Sequence, residues 1–351
     1  MSAPISVVTG GSGYFGSVLV TKLLERGDRV RVLDVNDADD RPADVELVQG
    51  DIRDAATVAR AVDGATTVFH NVAQVPLARD DAAFRTVNID GTQILLDASR
   101  AAGVAKVVHT SSSAVFGIPE HNPVTEATPP APRETYGQAK LEAEQLCHAA
   151  VAAGLDVTIV RPRTIVGHGR LGIFSLLFDW IADDVDVFVL GRGDNRYQWV
   201  HADDLADLCL RAGGRPGADV FNGGATQFGT MRETIEGLIA HAGSRSRVRS
   251  LPMRPTVLAM RATASLGLTP FAPYHWIMYG RSMWFDTTHA RTALGWEPQW
   301  TADAMFAEAY DGWLGSRTDD TAGRSHHRKP VRAGVLGAAK GAVRLISRRR
   351  R

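Results

Sequence analysis

The chain has 351 residues, two cysteines and a formal net charge of zero, long enough for one large or two unequal domains with a sizeable core. No run is long and apolar enough to span a bilayer as a helix, and two lone cysteines exclude a disulfide scaffold and suit a reducing, cytoplasmic setting. The zero charge conceals a segregation. From Arg324 to Arg351 there are ten Lys/Arg and no acid, leaving 29 basic against 39 acidic residues elsewhere, and so acidic a body argues against nucleic-acid binding.

In chain order, Ile5 to Val8 is a short apolar run that breaks into a glycine-rich turn, after which Val18, Leu19, Leu23 and Leu24 share a helical face. A strand this close to the start leaves no room for a signal peptide. Gly10, Gly13 and Gly16 stand at G-x-x-G-x-x-G spacing. Glycine is needed where the chain turns tightly, where backbone approaches a pyrophosphate and where the helix packs closely on its strand. The N–H groups of the first helical turn, with the helix dipole behind them, then face the phosphates. Strand, turn and helix in this order predict a dinucleotide site. Val30 to Asp34 reads as a second strand ending in an acid. An acid there hydrogen-bonds the ribose hydroxyls and repels a 2′-phosphate, favouring NAD over NADP.

Val45 to Val48 is a third strand, followed by Gly50-Asp51-Ile52. Thr67 to His70 is a fourth, running into Asn71-Val72-Ala73. Lys106 to Thr110 leads into Ser111-Ser112-Ser113, and Asp156 to Val160 ends at Arg161-Pro162. Helical patterns around Ala56 to Val62 and Ala83 to Ala101 fill the gaps. The alternation predicts an α/β fold, a doubly wound parallel Rossmann sheet with ligands at the carboxyl ends of its strands. This domain takes residues 1–170.

Residues 171–316 read as a smaller substrate-binding subdomain. It has an apolar helix from Phe174 to Ile181, a strand from Val185 to Leu190, and helices from Asp203 to Arg211 and Met231 to His241 around Phe221-Asn222-Gly223-Gly224. Leu251 to Phe285, with a helix over Val257 to Leu268, is apolar and aromatic. It suits either a substrate wall or ordinary core or dimer surface. Residues 317–351 are a polar linker, Arg317 to Pro330, and a basic tail. In that tail Val335, Ala339, Ala342 or Val343 and Ile346 recur at helical spacing beside Lys340 and Arg344. Such a segment either lies on an anionic membrane surface as a peripheral contact or is simply a solvated tail.

The second constellation is Tyr136-Gly-Gln-Ala-Lys140, opening a helix. Residues four apart share a helix face. A phenol with its ordinary pKa near ~10 is a poor base at neutral pH, and a nearby ammonium lowers it. Tyr136 can then exchange a proton with a substrate alcohol while hydride moves to or from the cofactor. Ser112, at the end of the fifth strand, is placed to orient the substrate oxygen. His70, His109, His168 and His201 have no metal-ligand spacing, and no metal is expected.

These motifs, from Ile5 to Trp313, resemble the extended short-chain dehydrogenase/reductases, the NAD-dependent epimerase/dehydratase group. The resemblance places T-G-x-x-G-x-x-G at Thr9 to Gly16, the cofactor-selecting acid at Asp34, the adenine-side pair at Asp51-Ile52 and V-N-x-x-G-T at Val87 to Thr92. It implies a catalytic set of Ser112, Tyr136 and Lys140. The implied NAD site is Gly10, Gly13, Tyr14, Phe15, Gly16, Asp34, Asp51, Ile52, Ala73, Asn88, Tyr136, Lys140 and Arg161. It also implies a homodimer formed through the Tyr-x-x-x-Lys helix.

Departures narrow the substrate. The group's dehydratases carry Asp-Glu after the catalytic threonine, where Ser113-Ala114 stands here, so elimination lacks its acid. Sugar-nucleotide epimerases show R-x-x-N-x-x-G, with Thr164 here at the asparagine position, and an R-x-G-D segment before D-x-x-K/R-A-x-x-x-L-G-W. The latter motif is present from Asp286 to Trp296, and the former is missing. The apolar replacement resembles the 3β-hydroxysteroid and sterol dehydrogenase branch. The sequence therefore points to an NAD-dependent oxidoreductase acting on a secondary alcohol or ketone, with an apolar ring or lipid-like substrate as the expected match. A nucleotide-sugar 4-epimerase using the same site is the alternative, and a non-catalytic binding protein on the same fold is a third reading.

Overall fold

The computed structural model describes residues 3–74, 81–169, 173–269, 273–316, 340–341 and 343–344. Its centre is a seven-stranded sheet. The first six strands are β1 (Ile5–Thr9), β2 (Arg29–Asp34), β3 (Glu46–Gln49), β4 (Thr67–His70), β5 (Lys106–Thr110) and β6 (Val157–Pro162). The seventh is β10 (Asp219–Gly223), and the smaller strands are β7 (Thr164–Val166), β8 (Val187–Leu190), β9 (Trp199–His201) and β11 (Val248–Leu251). Main-sheet order is β10-β6-β5-β4-β1-β2-β3, and every pairing is parallel. The order reverses beside β1, which opens a crevice at the carboxyl edge where this architecture takes its ligands. Central strands are buried on both faces, as β4 and β5 show with every residue buried, because helices cover both sides.

The helices are α1 (Tyr14–Glu25), α2 (Ala55–Val62), α3 (Asp81–Arg85), α4 (Gly91–Ala101), α5 (Thr135–Ala152), α6 (Phe174–Ala182), α7 (Ala202–Gly214), α8 (Met231–His241), α9 (Met253–Ser265), α10 (Pro273–Met278), α11 (Thr288–Leu294) and α12 (Ala302–Ser316). One layer is α1, α7 and α11, with Leu19, Leu205, Cys209, Phe221 and Trp296 in its core. The opposite layer is α2, α4 and α5, around Leu33, Val58, Leu95 and Cys147. A third core lies in the subdomain, where Phe174, Phe178, Trp199, Phe306 and Tyr310 pack edge-to-face.

Four features depart from the sequence reading. The segment around Phe221 to Gly223, read there as a connector between helices, is the sheet's edge strand β10, in register with β6. The single helix expected over Ala83 to Ala101 is interrupted by a π-helical turn, Thr86–Asp90. The interruption brings Gly91 so close to Ile52 that a Cβ there would stand 2.7 Å from its Cγ2. The helix expected at Val257 to Leu268 runs instead as α9, without one buried residue and with Leu258 68% and Leu266 71% exposed. Its apolar side chains are half-buried or exposed in the described chain. Finally, Lys340 and Arg344 fold back onto α6, where Lys340 pairs with Asp179 and Asp183 at 2.5 and 2.9 Å and Arg344 with Asp183 at 3.6 Å. Asp179 on α6 and Asp183 just beyond its end thus supply counter-charge for two basic residues of the tail. The linker from Arg317 to Pro330 and most of the tail lie outside the described residues.

Candidate active site

The cofactor end is shaped by backbone. Gly10 has φ +72°, and its N–H donates to Leu33 O at 2.9 Å, which ties the turn to β2. A Cβ on Gly16 would fall 2.0 Å from Gly10 O, so no other residue fits. Helix α1 begins after Gly13 with no side-chain cap and no acid in its first turn, which leaves its N–H groups and dipole to an anion. Asp34, at the end of β2, accepts from Ser12 N at 3.1 Å and Asn36 N at 3.0 Å. Burial raises its pKa against the lowering effect of those backbone bonds. A glycine cradle over an open helix N-terminus, with an acid at the end of the next strand, fits the pyrophosphate and adenosine ribose of NAD.

The remaining cofactor candidates divide by what their side chains do. Tyr14 and Phe15 are buried in the core, so only their backbone faces the cradle. Ile52 is likewise buried, while Asp51 pairs with Arg53 at 2.5 Å. Asn88 clamps the loop after β4 by accepting from Gln74 N at 2.7 Å and donating to Gln74 O at 3.1 Å. Asn71, at the start of that loop, accepts from Thr110 Oγ1 at 2.5 Å. Ala73 is thereby held between two anchors. Arg161 is directed elsewhere: Nε and Nη2 both donate to Glu144, at 2.9 and 2.6 Å, and Ser111 Oγ joins the same carboxylate. It is a buried strut between β6 and α5, and its guanidinium does not reach the cradle.

The chemical end lies where α5 meets the carboxyl edge of β5. Glu134 caps α5, accepting from Tyr136 N at 2.9 Å and Gly137 N at 2.7 Å. A Cβ on Gly137 would stand 2.6 Å from Ala114 O, so the glycine inside the Tyr-x-x-x-Lys run lets α5 press against the 3₁₀ turn Ser113–Phe116. Ser112 caps that turn, its Oγ accepting from Ala114 N at 3.1 Å. Lys140 is 3% exposed and donates to Thr110 O at 2.8 Å. Burial pulls its pKa down to about 8, against the opposing influence of Cys147 and Glu144. Tyr136, one helical turn earlier, is half-buried with its ring 6.1 Å from that of Phe84. The structure therefore brings Ser112, Tyr136 and Lys140 to one strand end. Beneath them His70 and His109 are buried 5.2 Å apart, and burial drives His70 to about 3 and His109 well below its ordinary value, so both stay neutral.

The sequence reading did not find Glu134, Gly137 or Arg163. The first two carried a signal, an acid just before a helix and a glycine within it. Arg163 carried none.

Residues 6–224 match the NAD-dependent epimerase/dehydratase family. The chain is 48% identical over 343 residues to the uncharacterized protein y4nG of Sinorhizobium fredii, covering 97% of this chain and 87% of that one. It is 30% identical over 315 residues to UDP-glucose 4-epimerase of Mycolicibacterium smegmatis, covering 84% and 93%. It is 36% identical over 169 residues to sterol demethylase protein B of Methylococcus capsulatus, covering 46% and 52%.

Proposed function

Because the chain belongs to the NAD-dependent epimerase/dehydratase family and is an NAD enzyme of the extended short-chain type, we propose that it interconverts a secondary alcohol and a ketone on a largely apolar, ring-bearing substrate. The observation that carries this reading is Lys140, buried with a pKa of about 8 one turn beyond Tyr136. NAD, when bound, supplies the hydride acceptor or donor. In the oxidative direction Tyr136, as phenolate, takes the hydroxyl proton while hydride leaves the same carbinol. Ser112 donates a hydrogen bond to the substrate oxygen, and the Lys140 ammonium stabilises the phenolate. The reverse returns the proton from Tyr136 to the carbonyl oxygen. Similarity over 84% of the chain to a dTDP-glucose 4,6-dehydratase of Streptomyces niveus would suit dehydration, but Ser113-Ala114 supply no acid beside Ser112 for an elimination.

Similarity to sterol demethylase protein B, the missing R-x-G-D segment and the buried Tyr197, Met283 and Phe285 support an apolar ring. Similarity along 84% of the chain to a UDP-glucose 4-epimerase supports a second reading, in which the hydride returns to the other face of a nucleotide sugar. Net NADH formation with a hydroxysteroid panel, against isomerisation of a UDP-sugar without net turnover, separates the two. In either case Tyr136→Phe should lower kcat by about 10²–10⁴. A variant retaining wild-type turnover would remove Tyr136 from the chemistry. We also infer a homodimer through α5, for which light scattering should give twice the chain mass, and a monomer mass excludes it.

A further inference from the structure

Two arginines at the end of β6 stand in opposite surroundings. Arg161 directs its Nε and Nη2 edge, the edge that presents parallel N–H groups, to the Glu144 carboxylate. Arg163, two residues on, is 1% exposed, and the same two atoms, Nε and Nη2, have no hydrogen-bond partner. Its Nη1 donates to Ser113 Oγ at 2.9 Å and to Met283 Sδ at 3.2 Å. Its guanidinium stands 4.7 Å from the centre of the Tyr197 ring and 5.7 Å from that of Phe285. Among the described residues no carboxylate pairs with it.

Desolvating a cation costs several kcal/mol, and contacts with aromatic faces return only ~2 kcal/mol or so. An uncompensated guanidinium is therefore a poor choice for holding a fold together. Its position is specific. Ser113 follows Ser112 directly, and Tyr197, Met283 and Phe285 belong to the subdomain that closes over the carboxyl edge of the sheet. Isolated bridges fix this wall, Tyr197 to Met283 and Val124 to Phe285. The guanidinium is thus held between Ser113, next to Ser112, and the Tyr197 and Phe285 rings of the subdomain.

We propose that Arg163 is a substrate-binding residue that takes an oxyanion, carboxylate or phosphate, on its Nε and Nη2 edge. The substrate accordingly carries one anionic group beside its ring. This rests on the cleft being the substrate site, as argued above, and it refines the substrate class for both readings of the reaction. A fork of two N–H donors matches a carboxylate or phosphate bidentately.

The test is thermal unfolding of the full chain, with and without NAD, in the presence of pyrophosphate, UDP or cholate. Cholate supplies a carboxylate on an apolar ring, whereas UDP and pyrophosphate supply phosphate. At least one should raise the melting temperature of the wild type by several degrees, and which one does so identifies the source of the anion. Arg163→Met should melt at or above the wild-type temperature without ligand, since it removes an uncompensated buried charge, and should bind the effective anion at least tenfold more weakly. Arg163→Lys, which keeps the charge but loses the fork, should fold and bind with intermediate affinity. The proposal is overturned if no anion stabilises the wild type, if both variants respond as the wild type does, or if both melt well below it. NAD stabilisation serves as the separate control. If NAD shifts the melting temperature and no anion does, this inference fails while the cofactor reading stands. If an anion acts through Arg163 and NAD does nothing, the reverse holds.

Discussion

The two ends of the cleft are made by different means. The cofactor end is backbone held by backbone: Gly10 tied to Leu33, Gly16 against Gly10, Asp34 accepting from Ser12 and Asn36. The substrate end is side chain held by side chain, with Arg163 between Ser113, Tyr197 and Phe285, residues that come from segments far apart in the chain. Backbone geometry admits only one cofactor shape, whereas a wall of side chains is replaceable residue by residue.

The sharpest way to break this comparison is through its two arginines. Glu144→Gln leaves Arg161 buried without its carboxylate, and urea unfolding should show a loss of about 3–5 kcal/mol. That is opposite in direction to Arg163→Met. Equal losses in the two variants would mean that both arginines are struts and that the ends do not differ. A smaller effect is expected at the seam between the ends. Gly137→Ala places a methyl against Ala114 O, which should cost about 1–3 kcal/mol and lower kcat by displacing Tyr136. Unchanged stability and turnover would show that α5 has room to spare.

A further effect is in pH dependence. Lys140 has a folded pKa of about 8, below its ordinary 10.5. The unfolded chain therefore binds more protons between those values, and the contribution of this site to stability rises with pH across that window. Below about 8 the burial penalty is present in full. Lys140→Met should flatten the rise in stability between those limits. An identical pH profile in the variant would mean that the ammonium is better solvated than its 3% exposure implies.

Legibility in the sequence follows the same division. The glycine cradle, Asp34 and the Tyr136–Lys140 pair were readable because their function depends on local spacing, with φ, helix pitch and strand ends fixed by neighbours in the chain. The edge strand β10 was not, since it is a short strand ending in Asn222-Gly223, a texture that also suits a turn, and only its pairing with β6 makes it a strand. The strut role of Arg161 depends on Glu144 and that of Asn88 on Gln74, contacts across different elements that no local pattern records. For α9 the sequence located a helix but not its burial: hydropathy reports what a helix could bury, and in the described chain none of its residues is fully buried.

The two thiols lie on opposite sides of the main sheet, Cys147 on α5 and Cys209 on α7. Burial pushes each to about 12, so neither offers an appreciable thiolate to an alkylating reagent at neutral pH. Each helical layer thus carries its own chemical clock. The rates at which the two positions become modified measure how often either side of the molecule comes away from the strands, and whether the two sides do so together.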